Sequence, residues 1–243
     1  MRADIDAITI ICRFQSFAAD ALRRVSTVFE RTPISDLLVV RPKRYGDERG
    51  YFSETWSQRA FETEGLDYTW VQDNHSLSRA PGVLRGLHYQ SPPMAQAKLV
   101  RCTAGRIWDV AVDMRPGSAS IGQWFGAELS ADNGAQVLVP AGFLHGFLTL
   151  SADAEVQYKG DAPYAPDCDG SVAWDDPEVG SAWPLDEGEG GLGDGRPILS
   201  GKDASAPRVS EWATPVPAAG GEKAGRSSSQ ADAAVSEPPA FGI

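Results

Sequence analysis

The sequence predicts an all-β fold, an antiparallel sandwich or barrel with a few short helices. Short segments rich in Val, Ile, Leu and aromatic residues recur along the chain, separated by Gly, Pro, Asp or Asn, which is the pattern of short antiparallel strands. Inside this stretch only residues 58–65 favour a helix. Residues 104–106, Ala-Gly-Arg, predict a hairpin turn between two strands. The predicted strands are 37–41, 51–54, 98–103, 107–113, 123–129, 136–140, 146–150 and 155–159.

Composition divides the 243 residues into three regions. Residues 1–34 form an N-terminal extension whose amphipathic part, 14–29, is either a helix or a stretch without fixed structure. Residues 35–212 form the predicted domain, with a Gly-rich flexible loop at 186–195. Residues 213–243 are rich in Ala, Ser, Gly, Pro and Glu and poor in aliphatic residues. Such a tail buries too little surface to offset its ordering entropy, so it is predicted to be disordered.

Charge and cysteine content exclude several classes of partner. The net charge of −11 argues against a nucleic acid held through its phosphates, but a few local Arg and Lys residues still allow a small anionic ligand. No stretch is long and apolar enough to span a bilayer. The three cysteines, Cys12, Cys102 and Cys168, are far apart and form no CxxC motif. They predict reduced thiols in a cytoplasmic protein rather than disulfides or a zinc site.

Three histidines, His75, His88 and His145, are candidates for chemistry. His145 ends the run Pro-x-Gly-x-x-His at 140–145, which resembles the second sequence motif of cupin barrels. The alternative reading is a cavity-lining histidine that hydrogen-bonds a neighbour. A metal-binding cupin needs His-x-His in its first motif and a Glu downstream, but residues 88–90 read His-Tyr-Gln. No metal site is therefore predicted.

His88 is the stronger candidate for proton transfer, because imidazole titrates near neutral pH. Arg85 lies three residues earlier, so strict strand alternation would place the two side chains on opposite faces. A β-bulge at Gly86 would bring both into one cavity.

An ordered series of motifs resembles the dTDP-4-dehydrorhamnose 3,5-epimerase family. The match covers roughly residues 35–210, and the ordered set is specific although each motif alone is weak. The motifs are Gly-Asp-Glu-Arg-Gly-Tyr-Phe-Ser-Glu at 46–54, Val-Gln-Asp-Asn-His at 71–75, Leu-Arg-Gly-Leu-His-Tyr-Gln at 84–90, Lys-Leu-Val-Arg-Cys at 98–102, Asp-Val-Ala-Val-Asp-Met-Arg at 109–115, the run 140–145, Gln-Tyr-Lys at 157–159, Trp-Asp-Asp-Pro at 174–177 and Ser-Gly-Lys-Asp-Ala-Ser-Ala-Pro at 200–207.

The resemblance implies a cupin-like antiparallel β-barrel of the jelly-roll type, a homodimer that binds a dTDP-4-keto-6-deoxysugar and uses no cofactor and no metal. Residues that match the family's catalytic positions are His88 as the base, Asp203 as its partner, Tyr158, and Lys98 near the sugar ketone. Residues that match substrate-binding positions, some of them across the dimer, are Arg49, Phe52, Glu54, Gln72, Asn74, Arg85, Asp109 and His145.

The implied reaction is inversion of C3 and C5 of dTDP-4-dehydro-6-deoxyglucose. Alternatives are an epimerase acting at one carbon only, a non-catalytic sugar-binding cupin and a metal-dependent cupin enzyme. One departure concerns the nucleotide end of the site, where the family has two adjacent tyrosines and this chain has Pro163 before Tyr164. It changes neither the implied base nor the implied acid.

Overall fold

The computed structural model describes residues 27–186 and 195–211. Thirteen strands lie in these ranges: β1 (Thr27–Arg31), β2 (Leu38–Pro42), β3 (Arg44–Asp47), β4 (Gly50–Ser53), β5 (Gln72–Ser78), β6 (Leu84–Gln90), β7 (Lys98–Ala104), β8 (Arg106–Asp113), β9 (Trp124–Ser130), β10 (Gln136–Val139), β11 (Phe143–Thr149), β12 (Ala154–Gly160) and β13 (Asp169–Ser171). The same ranges contain the helices α1 (Gln58–Thr63) and α2 (Gly201–Ala204) and the 3₁₀ turns Pro166–Cys168 and Val209–Glu211.

The predicted tail and most of the predicted Gly-rich loop lie outside the described residues, as does most of the amphipathic stretch 14–29. The last residues of that stretch begin strand β1. The domain boundaries proposed from composition stay a prediction. None of the described helices is long and apolar enough to cross a membrane.

Internal contacts divide the chain into two units. The described residues of the smaller unit are 27–30 and 40–68, and those of the larger unit are 31–39, 69–186 and 195–211. In the smaller unit β3 and β4 form a hairpin in which Tyr45 faces Phe52. Phe61 of α1 is buried and meets Phe29 edge-on, with 5.1 Å between ring centroids. Such aromatic contacts give the smaller unit a core of its own.

The larger unit is built on two antiparallel sheets. One contains the neighbouring strands β10, β7, β12 and β5, and the other has the order β13, β6, β11, β8, β9. Inward side chains of both sheets form one apolar cluster, with Val100 and Val156 from the first sheet and Ile107 and Phe147 from the second. Each fully buried aliphatic or aromatic side chain of this kind stabilises the fold by roughly 1.5–3 kcal/mol. The cluster therefore holds the two sheets together.

A second apolar cluster covers the other face of the five-stranded sheet. Val110 and Leu144 are fully buried there, although strand alternation turns them away from the first cluster. Val172 and Val179, from the segment after β13, complete this cluster, and Trp183 packs against it. The segment after β13 thus covers the face that points away from the first cluster.

The predicted hairpin at residues 104–106 is wrong. Strands β7 and β8 belong to different sheets, so Gly105 is the corner at which the chain crosses from one sheet to the other. Its φ is +69°, and a Cβ atom would lie 2.2 Å from Ser151 Oγ, so glycine is required. A short Gly-containing connection looks the same in sequence whether it joins paired strands or turns a corner.

All eight predicted strands and the predicted helix are present, with ends shifted by at most three residues. Five strands escaped prediction, namely β1, β3, β5, β6 and β13. β5 reads Gln-Asp-Asn-His-Ser-Leu-Ser, and such a polar strand lacks the apolar alternation that sequence reasoning depends on.

Candidate active site

Three neighbouring strands of the five-stranded sheet bring four predicted site residues onto one face. Between β6 and β11, His88 lies opposite His145 and Arg85 lies opposite Phe147. Between β11 and β8, Phe147 lies opposite Asp109. Residues directly opposite each other point to the same side of a sheet. Arg85, His88, Asp109 and His145 therefore share one surface.

Strand β6 carries a bulge at Gly86, and the bulge places Arg85 and His88 on that common face. Gly86 and Leu87 together lie opposite the single residue Gly146, which is the two-against-one count of a β-bulge. Gly86 has φ +131°, and a Cβ there would come within 2.6 Å of Gly146 Cα. The position therefore requires glycine on two grounds.

His88 is paired with Asp203, a residue 115 positions further along the chain. The distance from His88 Nε2 to Asp203 Oδ1 is 2.6 Å. The carboxylate side chain is 3% exposed, whereas the imidazole is 34% exposed. Since Nε2 faces Asp203, the nitrogen left for a ligand is Nδ1.

Local sequence fixes Asp203 at the start of helix α2. Ser200 is the N-cap, and its Oγ accepts a hydrogen bond from the Asp203 N–H at 3.1 Å and donates one to Asp203 Oδ2 at 2.8 Å. Ser200 therefore caps the helix and orients the Asp203 carboxylate at the same time. Burial acts to raise the pKa of the Asp203 carboxyl, but hydrogen bonds from His88, Ser200 and the Gly86 N–H outweigh it and keep that pKa below its ordinary value. Asp203 is therefore ionised at neutral pH.

A second imidazole–carboxylate pair lies beside the first. His145 Nε2 is 2.8 Å from Asp109 Oδ2, and both residues are buried. The other carboxylate oxygen, Asp109 Oδ1, is buried and has no hydrogen-bond partner among the described residues. A buried polar atom of this kind usually serves a ligand or a water.

Lys98 and Tyr158 come from the other sheet. Across β5, β12 and β7, Gln72, Gly160 and Lys98 form one row. Asn74 and Tyr158 lie opposite each other, each two residues along its strand from Gln72 and Gly160. Strand alternation therefore puts Lys98, Tyr158, Gln72 and Asn74 on one face.

Electrostatics link the two faces. Burial raises the pKa of the Tyr158 hydroxyl, and the charge of Asp169 adds to this effect while that of Arg85 opposes it. Burial also lowers the pKa of Lys98 to about 8, against the opposing effects of Asp161 and Asp169. Charges from the five-stranded sheet thus act on Tyr158 and Lys98. Tyr158 also packs against the apolar cluster formed by both sheets, so the two faces enclose one site.

Arg85 offers free donors to this site. Its Nε donates to Ser78 Oγ at 3.2 Å and one terminal nitrogen donates to the Leu77 carbonyl at 3.3 Å. These bonds orient the guanidinium, which has five N–H groups in all. The remaining donors are available to an anionic ligand.

The comparison with protein families decides which family this chain belongs to. A profile described as dTDP-4-dehydrorhamnose 3,5-epimerase matches residues 31–211. The chain belongs to this family. The dTDP-4-dehydrorhamnose 3,5-epimerase of Sinorhizobium fredii is 48% identical over 183 residues, which cover 75% of this chain and 90% of that protein.

Solved structures of this epimerase family have the same fold. The dTDP-6-deoxy-D-glucose-3,5-epimerase of Legionella pneumophila, in complex with dTDP-4-keto-L-rhamnose, gives a TM-score of 0.70 at 43% identity and covers 76% of this chain and 94% of its own. A 3'-monoepimerase of Streptomyces bikiniensis, in complex with dTDP-quinovose, gives 0.69 at 33% identity and covers 78% and 92%. The predicted cupin-like all-β fold and the predicted enzyme class, an epimerase, are confirmed.

Two charged residues at the epimerase site were missed by sequence reasoning. Asp169 of β13 forms an ion pair with Lys202, which precedes Asp203 in α2, and accepts a hydrogen bond from the Tyr164 hydroxyl at 3.2 Å. Lys202 stands in the recognised motif at 200–207, so its adjacency to Asp203 was the available signal. Nothing in the sequence around Asp169 indicates its role.

Gln72 forms hydrogen bonds both to Asn74 and to the loop that contains Pro163 and Tyr164. Gln72 Nε2 donates to Asn74 Oδ1 at 2.8 Å, and Gln72 Oε1 accepts the Tyr164 N–H at 2.8 Å. Asn74 Nδ2 is buried without a hydrogen-bond partner among the described residues. The carbonyl of Pro163, the residue that departs from the family pattern, accepts a hydrogen bond from buried Gln90 at 3.1 Å. Hydrogen bonds therefore hold the loop both at Pro163 and at Tyr164.

Three predicted nucleotide-binding residues lie in the smaller unit. Arg49 occupies the turn of the β3–β4 hairpin and pairs with Asp47. Phe52 is 71% exposed on β4, and Glu54 is exposed just after it. Tyr45, which lies opposite Phe52, is exposed as well, so the hairpin presents neighbouring aromatic side chains to solvent.

Within residues 27–186 and 195–211, no group of three or more His, Cys, Asp or Glu side chains is arranged to hold a metal ion. The two imidazoles opposite each other, His88 and His145, are each bonded to a carboxylate of their own.

Proposed function

We propose that this protein inverts C3 and C5 of dTDP-4-dehydro-6-deoxyglucose and gives dTDP-4-dehydrorhamnose. The observation that carries the proposal is the His88–Asp203 pair, in which a buried carboxylate holds one imidazole nitrogen and leaves the other for a substrate. Membership of the epimerase family supports the same reaction.

His88 acts as the base. The 4-keto group acidifies the hydrogens on C3 and C5, and His88 Nδ1 takes one of them while the electron pair moves to the carbonyl oxygen. Asp203 fixes the imidazole tautomer and stabilises the imidazolium that forms, as carboxylate–histidine pairs do elsewhere.

Lys98 and His145 stabilise the enolate. Negative charge develops on the sugar O4, and preorganised positive groups in a buried site lower the energy of such a transition state. Lys98 supplies an ammonium from one sheet. His145, whose Nε2 faces Asp109, supplies Nδ1–H from the other sheet in its imidazolium form, in which both ring nitrogens are donors.

Tyr158 donates its own hydroxyl proton to the opposite face of the sugar, while the abstracted proton stays on His88. Exchange with solvent then restores both side chains. Its hydroxyl belongs to the sheet that faces His88, as inversion requires. Its raised pKa keeps the hydroxyl protonated at neutral pH and able to donate. Delivery from the side opposite the base converts abstraction into inversion.

The remaining predicted residues bind the nucleotide end of the substrate. The free donors of Arg85 suit a diphosphate, because guanidinium pairs with phosphate oxygens in a forked geometry. The unpartnered Nδ2 of Asn74 suits a carbonyl acceptor, and Gln72 orients it. Arg49, Phe52 and Glu54 contact the nucleotide of a partner subunit in a cytoplasmic homodimer. Light scattering of the purified protein tests the dimer.

A single-carbon epimerase is the second candidate, because a 3'-monoepimerase is 33% identical over most of this chain. Such an enzyme would use the same base and differ in which carbon exchanges its hydrogen.

The test is NMR of dTDP-4-keto-6-deoxyglucose with the enzyme in heavy water. We expect deuterium at both C3 and C5, lost in His88→Ala and retained in His75→Ala, a matched control in which an exposed histidine paired with Glu155 is removed. Deuterium at one carbon would indicate the single-carbon reaction. No exchange at either carbon in the parent protein would overturn the proposal.

A further inference from the structure

Asp161 contacts the residue that precedes Lys98. Its Oδ1 accepts a hydrogen bond from the Ala97 N–H at 2.6 Å, and its own N–H donates to the Ala97 carbonyl at 3.3 Å. Asp161 directly follows Gly160, which lies opposite Lys98 in the sheet. The carboxylate therefore holds the beginning of β7 from the end of β12.

Neighbouring contacts make this connection rigid. Gln96 is buried, and its Nε2 donates to the Ala162 carbonyl at 2.5 Å. A Cβ on Gly160 would lie 2.6 Å from the same amide nitrogen, so the two segments approach closely. Residues 96–98 and 160–162 are thus bound together on both sides of Asp161.

Asp161 is also one of two carboxylates whose charge acts on Lys98. The other, Asp169, is already paired with Lys202 and accepts the Tyr164 hydroxyl. Asp161 forms no ion pair with another cation within the described ranges. The other titratable groups that face the site are Arg85, His88, Asp109, His145, Tyr158 and Asp203. Asp109 and Asp203 are each paired with an imidazole, and Arg85 carries a permanent charge.

We propose that Asp161 is a positioning residue that fixes Lys98 through the Ala97 backbone and keeps its ammonium protonated inside the buried site. The inference rests on the proposed function for its consequence, because a charged Lys98 is needed where the enolate oxygen develops. A buried ammonium without a nearby anion loses its proton more readily. Asp161 therefore extends the pH range in which the enolate is stabilised.

The decisive variant is Asp161→Asn, since Oδ1 can still accept the Ala97 N–H while the charge is gone. The direct readout is the pH dependence of Lys98 acetylation by acetic anhydride, followed by mass spectrometry, which requires no turnover. We expect its inflection to move down by roughly one pH unit. The alkaline limb of the exchange rate should move by the same amount, with little change near pH 6.5. Asp153→Asn, which removes an exposed carboxylate paired with Arg79, should move neither.

Circular dichroism confirms that the variant is folded. An Asp161→Asn protein with the parental Lys98 inflection would overturn the inference, even if its activity were lower. If the parent protein exchanges no deuterium but the Lys98 inflection still moves in Asp161→Asn, the proposed function fails and the positioning role stands. The two proposals are therefore separable.

Discussion

The imidazole of His88 and the carboxylate of Asp203 are 2.6 Å apart, although one belongs to a central strand and the other to a four-residue helix near the end of the described chain. Three hydrogen bonds converge on Asp203 and keep it ionised. A fixed anion at this position stabilises the imidazolium that forms on proton transfer and prevents the ring from turning.

Replacing Asp203 by Asn should lower kcat by about 10²–10⁴-fold, because the amide no longer stabilises the imidazolium. The Michaelis constant should change little, since Asp203 is not proposed to touch the sugar nucleotide. Steady-state kinetics measure both. Ser200→Ala removes the Oγ bond to Asp203 Oδ2 and the bond from the Asp203 N–H but keeps the carboxylate, and it should cost much less. A kcat for Asp203→Asn close to the parental value would exclude a role for the pair.

Activity should decline as the pH rises through about 8, because the buried Lys98 ammonium loses its proton there. The sign follows from the charge, since burial lowers the pKa of a cation and the active, protonated form exists below that pKa. Lys98→Arg should keep the charge and remove this decline up to about pH 10. Lys98→Met should be impaired throughout the range, whereas Lys159→Met, which removes a partly exposed lysine paired with Asp73, should be near normal. An alkaline limb that persists in Lys98→Arg would assign it to another group.

Tyr158→Phe should separate proton removal from inversion. His88 remains able to take and return a proton on its own face, so deuterium should still enter the substrate with retained configuration. Formation of the inverted product should fall by about 10²-fold or more, as expected for loss of a positioned acid. NMR distinguishes the two stereochemical outcomes. Unimpaired formation of the inverted sugar would show that another group delivers the proton.

Asp113→Asn should destabilise the fold without touching the site. Asp113 is fully buried. Burial acts to raise its pKa, but hydrogen bonds from Arg115, Ser118 and Ser120 outweigh this and lower the pKa to about 2. Because the pKa of Asp113 is lower in the folded protein than in the unfolded chain, where it is near 4, its ionisation stabilises the folded state above that pH by about 2 kcal/mol. This stabilisation is lost as the pH falls to about 2.

Urea denaturation of Asp113→Asn measures this effect. The free energy of unfolding should differ from that of the parent by about 2 kcal/mol at neutral pH, and the difference should shrink as the pH approaches about 2. A difference that is independent of pH would show that packing, rather than ionisation, sets the cost.

Much of the fold could be read from the sequence because strands with an apolar inner face have a clear pattern. β7, β8 and β12 are of this kind, with buried residues such as Val100, Ile107 and Val156 at alternate positions. β5 and β6 were missed as strands although they contain recognised motifs, because the faces that line the site are polar. The corner at Gly105 was misread, since sheet membership depends on partners far away in the chain.

Sequence reasoning found the candidate site residues that lie in recognised motifs and missed the site residues that lie outside them. Asp161 and Asp169 are single carboxylates in a loop and a three-residue strand, and only their surroundings give them a function. The charge state of Lys98 could not be predicted from sequence either. It depends on burial and on carboxylates that follow Lys98 by more than sixty residues.

By itself the sequence determined the all-β class and the ordered motifs that indicate the family, because local propensity and motif chemistry are carried by neighbouring residues. Its assignment of His88 as the base and Asp203 as the partner stays a prediction. Only the tertiary structure decided that a bulge at Gly86 turns Arg85 and His88 to one side, that β7 and β8 part into different sheets, and that Asp161 and Asp169 act on Lys98. These features depend on distances between distant segments, and burial strengthens the electrostatic interactions across them.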